Sequence, residues 1–140
     1  MPNAHSALVV DGHAPDRVKT TKLLEDAGYR VYSAGDFDEA KAVLDAESPA
    51  VLVTDVRLGQ YNGLHLVLRS QAAHPQMGAV VTSRVADPVL EAEAHKQHAQ
   101  FVLHPFNSEQ LLEAVNASLE EVRSRAQEPP RQMAEGPQFC

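Results

Sequence analysis

Val51-Leu52-Val53-Thr54-Asp55 is a short apolar run, rich in β-branched residues, that ends in an acid. It is too short for a stable helix and has no polar face, which suits a strand buried on both sides. Gly59 to Gly63 follows as a loop. Leu64 to Ser70 then sets Leu64, Val67 and Leu68 at helical spacing.

The same pattern repeats to either side. Upstream, Ala7-Leu8-Val9-Val10 stops at Asp11-Gly12. Pro15-Asp16 opens a helix with Val18, Leu23, Leu24 and Ala27 as its stripe, and Gly28 is its stop signal. Arg30 to Ala34 reads as a strand, and Asp36 caps a helix with Ala40, Val43 and Leu44 on one face. Downstream, Gly78 to Thr82 is a strand, and Asp87-Pro88 opens a polar helix to about His98. Phe101-Val102-Leu103 is a fifth strand. Asn107 or Ser108 caps the last helix. With Asn107 as the cap, Gln110 can reach back as in a capping box. Its core face is Leu111, Leu112, Val115, Leu119 and Val122. Five strand–helix pairs in alternation predict an α/β fold, a doubly wound five-stranded parallel sheet with helices on both faces.

Composition narrows the function classes. The 140 residues are 44% hydrophobic and 22% charged, with a formal net charge of -7. Such a surface disfavours direct nucleic-acid binding, which needs basic groups against phosphates. It equally disfavours an anionic membrane surface. The single cysteine, Cys140, permits no internal disulfide, and no apolar run is long enough for a membrane span. A cytoplasmic location is expected. The expected divisions are a 1–5 N-terminal extension, a 6–124 domain and a 125–140 disordered tail or linker, where Glu128-Pro129-Pro130 and Gly136-Pro137 oppose regular structure.

In open parallel sheets, ligands sit beyond the carboxyl ends of the strands. Those ends deliver Asp11, Gly12 and His13, then Asp55, then Thr82 and Ser83, then His104. Two acids, two hydroxyls and an imidazole therefore converge on one crevice, with His13 close by. Taken singly, Asp55 and Asp11 could be turn acids, Thr82 a strand residue and Phe101 a core aromatic. His13 near Asp11 and Asp55, or His95 with His98, has spacing compatible with a metal, though solvated surface histidines are the simpler reading.

Four motifs in register resemble the response-regulator receiver family over residues 6 to 123. They are Leu8-Val9-Val10-Asp11, Val53-Thr54-Asp55-Val56-Arg57-Leu58 with Asn62-Gly63, Val80-Val81-Thr82-Ser83, and Phe101-Val102-Leu103-His104-Pro105-Phe106. The resemblance implies a flavodoxin-like (βα)5 fold with strand order 2-1-3-4-5. It implies that Asp55 accepts a phosphoryl group from a sensor histidine kinase or phosphotransfer protein. Mg2+ would be held by Asp11, Asp55 and the backbone carbonyl of Arg57. Thr82 and Phe101 would be the switch pair, with Ser83 leaving room for the phosphoryl group. Signals would leave through the fourth helix, fifth strand and fifth helix, a face that also suggests a homodimer. A cis His104–Pro105 bond is implied too.

The sequence departs from that family at three places. Gly12 stands where a second acid ligates the metal, so the Mg2+ site is expected to be weak. One unit charge pair at about 4 Å is worth roughly 4 kcal/mol at intermediate dielectric, before desolvation. His104 stands in place of the lysine, and its charge near neutrality is conditional. Gly59 stands where proline is common. The alternative is therefore a phosphorylation-independent pseudo-receiver, a protein-interaction module on the same fold. An enzyme on this fold is disfavoured, because Gly12-His13-Ala14-Pro15 is no glycine-rich phosphate cradle and no Gly-x-Ser-x-Gly elbow occurs.

Overall fold

The computed structural model describes residues 5–127. Each apolar run forms a strand and each periodic segment a helix. The order is β1 (Ser6–Val10), α1 (Ala14–Asp26), β2 (Arg30–Ala34), α2 (Phe37–Ala46), β3 (Val51–Asp55), β4 (Arg57–Leu58), β5 (Tyr61–Asn62), α3 (Gly63–Ala73), β6 (Gly78–Ser83), α4 (Pro88–Lys96), β7 (Gln100–Leu103) and α5 (Ser108–Gln127). Five strands pair in parallel as β2-β1-β3-β6-β7. Counting the strands of this sheet alone, that is the expected order 2-1-3-4-5.

The alternation of side chains along each strand divides the core in two. Leu8, Val10, Leu52, Ala79 and Val81 face α2, α3 and α4, where Phe37, Leu44, Leu66, Val67 and Ala94 complete one cluster. Ala7, Val9, Val51, Val53 and Val80 face α1 and α5, meeting Leu24, Leu111, Ala114 and Val115. Both faces of β1 and β3 are thus apolar, which is why those strands read as continuous hydrophobic runs rather than alternating ones.

Local signals hold at most element ends. The Asp36 carboxylate accepts from the Glu39 amide at 2.8 Å. Asp87 accepts from the Val89 and Leu90 amides. Asn107 and Gln110 make the reciprocal pair of a capping box, at 2.8 and 2.9 Å. Gly28 takes φ 98°, the left-handed conformation that ends α1.

Four expectations need correction. Val18 is 64% exposed, and α1 buries Thr20 and Leu24 instead. Leu68 is 52% exposed because α3 begins at Gly63 and its inner stripe is Gly63, Leu66, Val67 and Ser70, the i, i+3, i+4, i+7 set. The loop from Gly59 to Gly63 belongs to a small antiparallel ladder in which Arg57 faces Asn62 and Leu58 faces Tyr61. The last helix continues to Gln127, three residues past the expected domain end. The rest of the expected tail, and the first four residues of the N-terminal extension, lie outside the described residues.

Candidate functional site

Asp11, Asp55, Ser83 and His104 all lie at or just beyond the carboxyl ends of sheet strands, so the parallel topology gathers them at one edge. Asp55 ends β3 in register with Thr82 of β6. The next peptide is tied on both sides. The Val56 amide donates to the Thr82 carbonyl at 2.9 Å, and the Gly63 amide donates to the Val56 carbonyl at 2.8 Å. A Cβ on Gly63 would lie 2.1 Å from the Asp55 carbonyl oxygen, so only glycine lets α3 begin this close to the acid.

Asp55 is 8% exposed but opens onto a cleft that Gly12, His13, Arg57, Ser83 and Arg84 also line. Burial, and next the charge of Asp11, push its carboxyl up to about 6, against partial relief from the Val56 amide and Arg57. Two carboxylates that resist sharing negative charge, one of them desolvated, are a donor set that a cation would relieve. The retained acids therefore suit a hard divalent ion, with Gly12 contributing no side-chain ligand.

Asp11 is 3% exposed and fixed at three points. Its carboxylate accepts from the His13 amide at 2.9 Å, its carbonyl accepts from the Arg17 guanidinium at 2.7 Å, and its amide donates to the Ala34 carbonyl at 3.1 Å. Thr82 is 3% exposed. The Ser83 hydroxyl is occupied locally, donating to the Val85 carbonyl and accepting from the Val85 amide. Phe101 pairs in register with Val81 and is partly buried against the cluster under α2, α3 and α4.

His104 is half-buried with its ring tilted against Phe106 at 4.8 Å between centroids, and its peptide bond to Pro105 is cis. Burial, then the nearby Arg84 charge, lowers its pKa below 6.5, so at neutral pH the imidazole is uncharged. Its Nε2 is buried without a hydrogen-bond partner. His104 thus does not supply the fixed positive charge that a lysine would place here.

The histidine groupings compatible with a metal separate, in line with the simpler surface reading. His13 Nδ1 pairs with the Asp16 carboxylate at 3.0 Å rather than joining Asp11 and Asp55. His98 Nδ1 pairs with Glu121 at 2.8 Å rather than with His95. Two residues that sequence reasoning passed over enter instead. Asp16, in the first turn of α1, forms an ion pair with Arg84, which follows β6. Asp11, Asp16 and His104 each offer a donor atom within 4.8 Å of the others. The sequence signal was slight: an acid one turn after Asp11, and an arginine directly behind Ser83.

The family model for the response regulator receiver domain matches residues 7–116. The nitrogen assimilation regulatory protein NtrX of Azorhizobium caulinodans is 30% identical over 87% of this chain and 28% of its own length. The transcriptional regulatory protein FixJ of the same organism is 33% identical over 85% of this chain and 57% of its length. The chain therefore spans between about a quarter and about three-fifths of these curated relatives. A Burkholderia pseudomallei response regulator, solved with a phosphorylated aspartic acid, calcium ion and citrate, superposes with a TM-score of 0.75 at 28% identity, covering 89% of this chain and 75% of that one. NtrX from Brucella abortus, solved with ATP, gives a TM-score of 0.80 at 25% identity over 88% of this chain and 29% of that one. With the family model spanning most of the sheet and helices, and with the acid at the end of β3 in the cleft, this chain belongs to the response regulator receiver domain family.

Proposed function

We propose that this receiver domain is a working phosphoacceptor switch, with Asp55 taking the phosphoryl group from a sensor histidine kinase or phosphotransfer protein. The observation that carries the reading is Asp55 itself: held rigidly at the end of β3, open to the cleft, and in register with Thr82. A carboxyl at about 6 is mostly ionised at neutral pH, so it is available as a nucleophile.

A carboxylate oxygen of Asp55 attacks phosphorus, and the bond from phosphorus to the donor nitrogen breaks. An acyl phosphate forms, and the departing imidazole is left neutral or takes a proton from solvent. Asp11, Asp55 and the Arg57 carbonyl would hold Mg2+, which neutralises charge on the acceptor and the incoming group. Thr82 would donate its hydroxyl to the phosphoryl oxygens. Its backbone link to Val56 then couples acceptor and switch strand directly. Phe101 would answer on β7, and α4, β7 and α5 would form the output face, through which a homodimer would also assemble.

A second reading, a pseudo-receiver that binds partners without phosphorylation, is favoured by Gly12 in place of an acid and by the uncharged His104. Intact mass after incubation with acetyl phosphate, with and without Mg2+, separates the two. The switch requires an Mg2+-dependent adduct on the wild type that Asp55→Asn lacks. No adduct under any metal condition selects the pseudo-receiver.

A further inference from the structure

We infer that Asp11, Asp16 and His104 form a binding site for a borderline divalent metal of the Zn2+ or Co2+ class, sharing only Asp11 with the family's Mg2+ position. The three residues come from separate elements: Asp11 follows β1, Asp16 lies in the first turn of α1, and His104 follows β7. Their donor atoms lie within 4.8 Å of one another, close enough to share one ion.

Each donor has an open acceptor position. Asp11 uses Oδ1 for the His13 amide, and among the described residues no hydrogen bond falls on its other oxygen. Asp16 receives both His13 and Arg84 on Oδ2, which leaves its Oδ1 likewise open. His104 Nε2 is buried and has no partner, an arrangement that buried polar nitrogens rarely keep without a ligand or water. One ion within that spacing reaches a donor atom of each residue.

The surroundings resemble the support that metal ligands need. His13 pairs with the Asp16 carboxylate at Oδ2, and the His104 ring rests on Phe106. Two carboxylates and one imidazole make a mixed oxygen and nitrogen set. Imidazole suits Zn2+, Co2+ and Ni2+, whereas Mg2+ prefers oxygen alone. Arg84 is a competing cation at the same acid, so its removal should tighten the site. This inference does not require phosphoryl acceptance. It does make Asp11 common to two ions, so a transition metal would compete with Mg2+.

The test is titration of the full chain with Co2+, read by visible absorption, and with Zn2+ and Mg2+ by calorimetry. A Cys140→Ser background removes the terminal thiol as a ligand. Asp16→Asn and His104→Gln are each expected to weaken Co2+ and Zn2+ about tenfold or more, with Arg84→Gln tightening them. Asp16 is a helix surface residue, so its variant remains informative should His104→Gln fold poorly. Asp55→Asn is expected to weaken Mg2+ while keeping the Co2+ spectrum. Absence of Co2+ and Zn2+ binding, or binding lost in Asp55→Asn but indifferent to Asp16→Asn and His104→Gln, overturns the inference. A failure of acetyl phosphate labelling leaves it standing, since the metal titrations are read without phosphorylation.

Discussion

Asp11 follows β1 and Asp55 ends the neighbouring β3, and the charge of Asp11 adds to burial in holding the Asp55 carboxyl at about 6. The folded state therefore binds a proton more tightly than the unfolded chain, where the value is 3.8. The stabilisation this gives is fully present below 3.8 and is lost as pH rises through about 6. At neutral pH the ionised acid is a liability of at most about 3 kcal/mol, reduced by water in the cleft. Thermal melts of wild type and Asp55→Asn should accordingly diverge between pH 4 and pH 7, with Asn the more stable at the upper end. Parallel curves would place the acid in full solvent contact.

Restoring the missing acid should strengthen the family's metal position. A Cβ on Gly12 meets only the Gly35 carbonyl, at an ordinary 3.5 Å, so a side chain fits. Gly12→Asp is expected to tighten Mg2+ by about tenfold or more, as one added carboxylate should for a hard cation. Calorimetry on the two proteins decides it.

His104→Lys should speed acetyl phosphate labelling or alter the lifetime of the adduct, because the lysine charge does not depend on pH in this range. In the wild type the lowered pKa predicts labelling that does not fall between pH 7 and pH 8 through loss of the imidazolium. A decline of about tenfold per unit across that interval would instead mark His104 as a charged participant.

Gly63→Ala should destabilise the domain by several kcal/mol, of the order seen for severe overpacking. The methyl would collide with backbone, and neither the Asp55 carbonyl nor the Val56 peptide can turn aside without breaking the links to Thr82. Denaturant melts measure this directly, and a midpoint equal to wild type would mean that α3 can slide outward freely.

The fold was legible because its strands are short, apolar on both faces and punctuated by acids and glycines. Val51 to Asp55 needed no partner to be read. Helix faces were less secure. Leu68 and Val18 fit an apolar stripe by spacing, yet the true stripe depends on where each helix starts, and Gly63 starts α3 by a tertiary contact. Asp11, Asp55, Thr82 and His104 were identified because they stand at strand ends. Asp16 and Arg84 were not, since their pairing joins positions 68 residues apart and follows from the fold bringing the start of α1 to the residue after β6. The unpartnered nitrogen of His104 is likewise a property of packing, which residue type alone does not carry.

The missing side chain at position 63 also has a dynamic meaning. Because the first turn of α3 rests on the peptide of the acceptor itself, that residue works as a fulcrum. In a close-packed interior there is no slack to absorb a displacement of the acceptor strand's end. A movement there that tilted α3 as a rod would carry its far end, at Ala73 and His74, through the larger arc.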